Sequence, residues 1–303
     1  MCQSNILHAH ASGWMDSQAD SQRPPTTEPE FDLALLSDPG SGRAANEDCC
    51  GHYVEGPGTA LFAVADGVGG FDGGAVASAL AIEVALESYR ENPVEWGTAK
   101  RLYRAVQRAN VELHNKALLV PELSRMATTL TAVVVEHGTL SAAHVGDCRL
   151  YVARRNAITQ ISQDHTMVAE QVKRGLMSAE NAREHPERSI LLRNLGHDLI
   201  VTVAKISMPL LQGDRVIVCS DGLYGVVRDH EIERLSRDLD AAAACRILVD
   251  TANRRGTTDN VTCAVFRMIA ATPHQRNRAK RRDGVNDFAA CSARIHEGTL
   301  RRD

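Results

Sequence analysis

The sequence has no long apolar run. Its hydrophobic stretches fall short of the ~20 residues that a helix needs to cross a bilayer, so no membrane span is expected. The first residues, MCQSNILHAHASGWMDSQAD, lack the basic and apolar segments of a secretory signal, which makes the cytoplasm the expected compartment. There is no excess of positive charge. Lys and Arg number 34 against 38 Asp and Glu, a net charge of -4, and nothing argues for nucleic acid as a partner. The eight cysteines form no CxxC pair and no Cys/His cluster with zinc spacing, so they read as buried thiols. GxxxxGK[ST], GxSxG and HExxH are all missing, and GVGGFDGG at 67–74 does not fit GxGxxG. These absences remove the P-loop, dinucleotide-binding, serine-hydrolase and zinc-protease readings.

What is present is a globular composition, 44% hydrophobic and 24% charged, in a chain long enough to bury a real core. Residues 1–30 are polar and end in RPPTTEPE, the composition of a disordered lead. Residues 271–303 carry HQRNRAKRRD and read as a basic, solvated tail, with weak contact to an acidic partner or membrane surface as the alternative. Between them, 31–270 reads as one domain. Strands are expected at TALFAVA, TLTAVVVE, LSAAHVG, RLYVARR, LIVTVAK, DRVIVCS and NVTCAVFRM, which are rich in Val, Ile and Thr. Helices are expected at AVASALAIEVALESYREN, TAKRLYRAVQRANVELHNKAL and DAAAACRILVDTANRR. The second places Leu102, Ala105, Val106, Ala109 and Leu113 on one face. Strands come in consecutive groups rather than alternating with helices, which points to an α+β layered fold with antiparallel sheets.

Carboxylates recur where these strands end. Asp66 closes TALFAVAD and is followed by a glycine-rich stretch, VADGVGGFDGG. That stretch fits an ordinary turn, and it equally fits a place where a metal ion or phosphate approaches the backbone. Asp147 lies in the turn of HVGDCR, Asp221 follows VIVCS, Asp259 precedes the last strand, and Asp48 sits in RAANEDCC ahead of the first clear strand. Converging carboxylates repel one another, and a cation relieves that cost. Oxygen-only ligands suit Mg²⁺ or Mn²⁺ rather than zinc.

Taken in order, SDPGSGRAANED, VADGVGG, ATTLTA, AHVGDCRLYVAR, ITQISQDHT, VIVCSDGLYGVV and TTDNVTCAVF resemble the metal-dependent Ser/Thr protein phosphatases of the PP2C (PPM) family, in their bacterial form. The resemblance runs from about residue 33 to 268. It implies an α-β-β-α sandwich in which two antiparallel sheets carry the metal site at one end of their cleft. It further implies that Asp66 bridges two Mn²⁺ or Mg²⁺ ions, that the Gly67 carbonyl binds one of them, and that Asp221 and Asp259 complete the pair. Asp147 would help to hold a third, weaker ion. Glu47 and Asp48 would orient water on the metals, and Arg43 would fork onto the substrate phosphate.

The implied partners are a phosphorylated protein and a cognate bacterial Ser/Thr kinase, and a monomer is expected. The same resemblance makes 163–197 a flap beside the site that sets substrate choice, and His165 in QDHTMVAEQVKRG reads as a structural or capping residue rather than a catalyst. Some positions depart from the family pattern: Val68 stands where Met or His is frequent, Phe71 replaces His, Ala127 replaces Gly, and Cys148 replaces Ser. None removes a ligand. Cys49, Cys50 and Cys148, which adjoin the carboxylates, read as small buried side chains, the alternative being that their oxidation disturbs the metal site. The competing reading from another class is a catalytically dead relative that binds phosphoproteins.

Overall fold

The computed structural model describes residues 7–9, 31–56, 58–68 and 73–269. In chain order, β1 (Leu7–Ala9), β2 (Phe31–Asp38), β3 (Asp48–Val54) and β4 (Thr59–Val68) lead into α1 (Gly73–Glu91) and α2 (Thr98–Leu119). Five strands follow: β5 (Ala127–Thr128), β6 (Leu130–Glu136), β7 (Thr139–Val145), β8 (Arg149–Arg154) and β9 (Ala157–Gln160). The short helices α3 (Met167–Lys173) and α4 (Ala179–Glu184) precede β10 (Ala204–Pro209) and β11 (Arg215–Cys219). The chain continues through α5 (Asp221–Tyr224), α6 (Asp229–Ser236), α7 (Ala241–Arg254) and β12 (Val261–Met268).

The strands form two antiparallel sheets. One has the order β1-β2-β12-β11-β8-β9, and the other runs β10-β7-β6-β4-β3 with β5 joined to β4. Strand alternation decides which layer each side chain enters. In β4, Ala60, Phe62 and Val64 point between the sheets, while Leu61, Ala63 and Ala65 point to α1 and α2. In β12, Ala264, Phe266 and Met268 fill the space between the sheets, and Val261, Cys263 and Val265 meet α7. Both faces of each central strand are covered, so these strands read as nearly continuous apolar runs. The result is the α-β-β-α sandwich that the sequence resemblance implies. Phe266 joins the sheets by stacking on Phe31 at 5.2 Å and on Phe62 at 5.8 Å. The expected face of α2 is buried, and Arg101 and Asn110 are buried with it.

Three local expectations need correction. First, β2 and β3 precede the strand read as the first. FDLALLSD is rich in Leu and Ala, and DCCGHYV contains a glycine, so neither shows a β-branched signature. Pairing with β12 and β4 makes them strands. Second, LIVTVAK is not one strand. Pairing begins only at Ala204, opposite His144, because β7 ends at Val145 and the earlier residues run past its end. The carbonyls of Asp198 and Leu199 are taken instead by the Asn110 amide, at 2.9 and 3.0 Å. Third, Leu7–Ala9 of the expected lead pairs with β2. The rest of that lead, the tail beyond 269, and Gly69, Gly70, Phe71 and Asp72 lie outside the described residues.

Candidate active site

In an antiparallel sandwich, the end of one strand lies beside the start of its neighbour. Here β4, β7 and β11 run toward one end of the molecule, and β3, β8 and β12 leave from it. That geometry gathers the strand-end carboxylates. Asp48 begins β3 and stands directly opposite Asp66 in register. Burial pushes the Asp48 carboxyl up to about 7, partly opposed by hydrogen bonds from Ser220 and Thr262. The Ser220 hydroxyl donates to Asp48 Oδ2 at 2.7 Å and accepts from the Thr262 backbone N–H at 3.0 Å, so one sheet props a carboxylate of the other. Asp66 is pushed well above the ordinary carboxylate range, first by burial and then by Asp48, Asp221, Asp147 and Asp259.

The backbone around Asp66 is fixed from several directions. Its N–H donates to Thr129 Oγ1 at 2.9 Å, and its carbonyl accepts from Thr128 Oγ1 at 2.8 Å and from the Thr129 N–H at 2.9 Å. The Gly67 N–H donates to the Glu47 carbonyl at 3.1 Å. A Cβ on Gly67 would sit 2.2 Å from the Gly74 carbonyl oxygen and 2.6 Å from that of Glu47, so no side chain fits there.

Asp147 occupies the β7–β8 turn. The preceding Gly146 has φ +105°, and a Cβ on it would lie 2.4 Å from Thr129 Cβ. The Gly146 N–H donates to His165 Nδ1 at 3.1 Å, and the Tyr224 hydroxyl donates to the Asp147 carbonyl at 3.2 Å. Burial raises the Asp147 carboxyl well above its ordinary range, with Asp221 and Asp164 adding to the effect. His165 therefore holds the turn rather than facing the carboxylates, and Thr166 beside it caps α3.

Asp221 follows β11 and opens α5. Burial, then Asp259, pushes its carboxyl up to about 6, against the pull of Arg188 and Arg43. Its Oδ1 is buried and has no hydrogen-bond partner among the described residues. Asp259 precedes β12 at the mouth of the site, where Arg43 Nη2 donates to its Oδ2 at 2.9 Å and Arg43 Nε donates to the Thr258 carbonyl at 3.3 Å. Arg43 thus lies beside the carboxylates, engaged with Asp259 and half exposed. Asn260 clamps the loop that carries Arg43, Glu47 and Asp48. Its Oδ1 accepts from the Glu47 N–H at 2.8 Å, and its Nδ2 donates to the Pro39 and Ala45 carbonyls at 2.8 and 2.9 Å.

All the candidate residues meet at this end. Among the described residues, no three His, Cys, Asp or Glu side chains already close on one point. The donors present at this end, carboxylate and backbone oxygens, are of the kind that a hard cation takes. The orphaned Asp221 oxygen, the mutual repulsion of the carboxyls and the bare backbone at Gly67 all fit such an ion. Three supporting residues were missed in the sequence: Ser220, Thr129 and Asn260. They lie inside motifs that are legible, VIVCSDG, ATTLTA and TTDNVT, but their partners are remote in the chain and no local pattern shows them.

Comparison with known proteins identifies the family. The family model for protein phosphatase 2C matches residues 41–264. The serine/threonine protein phosphatase PstP of Mycobacterium tuberculosis is 36% identical over 237 residues, 78% of this chain and 45% of that protein, so the chain spans about half the length of this relative. The serine/threonine phosphatase Stp of Listeria monocytogenes is 32% identical over 233 residues, 75% of this chain and 91% of that protein. A crystal structure of the catalytic domain of PstP in complex with two manganese ions superposes with a TM-score of 0.71 at 32% identity, covering 79% of this chain and 99% of that one. The chain belongs to the protein phosphatase 2C family.

Proposed function

We propose that this protein hydrolyses phosphoserine and phosphothreonine in other proteins, in signalling that opposes a bacterial Ser/Thr kinase. The observation that carries the reading is the Asp221 carboxyl. It is buried, raised to about 6, short of a partner at Oδ1, and set among four other strand-end carboxylates in a protein phosphatase 2C chain. Asp66, Asp221 and Asp259 with the Gly67 carbonyl would hold two Mn²⁺ or Mg²⁺ ions, and Asp147 would help with a third. Bound there, the ions would supply Lewis acidity and a nucleophile from water at neutral pH.

The chain's own residues do the rest. Glu47 and Asp48 orient water, with Asp48 fixed by Ser220. Arg43, at the mouth beside Asp259, takes the substrate phosphate, for which its planar guanidinium is matched. Cys148 is no nucleophile, because burial and then Asp66, Asp147 and Asp48 push its thiol well above the ordinary range. Among the described residues no helix is long and apolar enough to cross a membrane, and the reading includes a cytoplasmic monomer.

Phosphate release from a phosphothreonine peptide tests this. Wild type should require Mn²⁺ or Mg²⁺ and stop in EDTA, and Asp221→Asn should be nearly inactive. A wild type that releases nothing at saturating Mn²⁺ would overturn the assignment.

A further inference from the structure

Strand β8 begins at Arg149 and ends at Arg154, and each arginine grips an aspartate in a fork. The Arg154 fork on Asp214 lies at the end of the molecule away from the strand-end carboxylates. The Arg149 fork lies at the site, two residues after Asp147. Its Nε and Nη2 donate to the Asp164 carboxylate at 3.0 and 2.8 Å, and its Nη1 donates to the Tyr151 hydroxyl at 3.2 Å. Its Cζ lies over the Tyr224 ring, 3.8 Å from the centroid. All three nitrogens are engaged and only 14% of the side chain is exposed, so Arg149 is built to hold its neighbours rather than to bind a substrate.

What it holds is the turn that carries Asp147. That turn is fixed at two backbone atoms. The Gly146 N–H donates to His165 Nδ1, and the Asp147 carbonyl accepts from the Tyr224 hydroxyl. Both holders lead back to Arg149. His165 follows Asp164, the acceptor of the fork, and Tyr224 carries the ring beneath the guanidinium. Asp164 is itself fixed by Gln160 Nε2, which donates to its Oδ1 at 2.8 Å. Tyr224 also closes α5, the helix that Asp221 opens, so one side chain touches the supports of two of the site's aspartates. A lysine keeps the charge, but it cannot form a planar fork and stack on a ring at once.

We propose that Arg149 is a positioning residue for the metal centre. Through Tyr224 and Asp164 it fixes the backbone of Asp147, and so sets the affinity for the ion that Asp147 helps to hold. This rests on the phosphatase reading for its metal centre. The test is calorimetric titration of the full chain with Mn²⁺, with urea unfolding of each variant alongside. Arg149→Lys should weaken the weakest Mn²⁺ step by about 10- to 100-fold, the loss seen when a group that orients a ligand is removed. The same step should weaken in Tyr224→Phe, which keeps the ring and removes the hydroxyl. Because the two act along one path, the double variant should be little worse than the poorer single.

Arg154→Lys loosens the matching fork at the other end of β8. It should lower stability and leave Mn²⁺ affinity unchanged. Phosphate release should show the same split: in Arg149→Lys the Mn²⁺ concentration for half-maximal rate rises, while kcat at saturating Mn²⁺ changes far less. Asp164→Asn, which weakens the fork and keeps its shape, replaces Arg149→Lys if that variant does not fold. Wild-type Mn²⁺ affinity in both Arg149→Lys and Tyr224→Phe overturns the proposal alone, as do additive losses in the double variant or an equal loss in Arg154→Lys. A wild type that binds no Mn²⁺ overturns the metal centre of the phosphatase reading, and the role of Arg149 with it.

Discussion

Strand β11 has an aspartate at each end, and the two are treated in opposite ways. Asp214, just before the strand, is buried and gripped by Arg154 through two bonds, at 2.8 and 2.6 Å, while the Leu211 N–H donates to its Oδ2 at 2.7 Å. Asp221, just after the strand, makes no ion pair among the described residues, and Arg188 and Arg43 only pull on its charge without a hydrogen bond. It faces Asp259, is held up to about 6, and leaves Oδ1 without a partner. The same strand thus ends once in a charge that the fold neutralises and once in a charge that the fold leaves open. A buried pair of the first kind serves structure, whereas an unmatched carboxylate in a cleft is the physical mark of a ligand site.

Four measurements break or sharpen that contrast. Arg154→Ala should be the most damaging to the fold. It strands a buried carboxylate and should cost about 3–5 kcal/mol in urea unfolding, while Mn²⁺ binding by the folded fraction persists. Asp221→Asn should do the reverse. Phosphate release should drop about 100- to 1,000-fold, the range seen when a key electrostatic group is removed. The unfolding temperature without metal should hold or rise, because one repelling charge has gone. If Asp221→Asn destabilised the fold as much as Arg154→Ala, the two ends of β11 would not differ in kind.

Asn260→Ala should come next. It frees the loop bearing Arg43, Glu47 and Asp48, and activity should fall about 10- to 100-fold, as for groups that orient metal ligands. A smaller loss in Ser220→Ala than in Asn260→Ala would show that loop placement matters more than the Asp48 hydrogen bond. The smallest effect is on pH. Asp48 and Asp221, held up to about 7 and about 6, keep protons on the acid side of neutrality, and those protons compete with a cation. The rise in unfolding temperature given by Mn²⁺ should therefore grow between about pH 5.5 and about pH 7.5. A shift independent of pH over that window would place the binding elsewhere.

Much of the candidate site was legible because strand-end aspartates beside glycine or small polar residues are local features. Asp66, Asp147, Asp221 and Asp259 could be named from short windows, and the antiparallel layering then brings them together. The supporting contacts were not legible, since each joins distant segments. Asn260 reaches the 39–47 loop, Ser220 reaches Asp48 across the two sheets, and Thr129 holds Asp66. For the fold, Val-rich strands and the apolar face of α2 declared themselves. β2 did not, because FDLALLSD takes its strand form from its place beside β12. LIVTVAK misled for the opposite reason, as its first residues have strand composition and no neighbour to pair with.

The central claim is that the open carboxylates form a divalent-cation centre. Calorimetric titration of the full chain with Mn²⁺ near neutral pH tests it most directly, comparing wild type with Asp66→Asn. The account predicts more than one ion bound per wild-type chain and loss of that binding in the variant. Binding that is absent in wild type, or unchanged in Asp66→Asn, would contradict it.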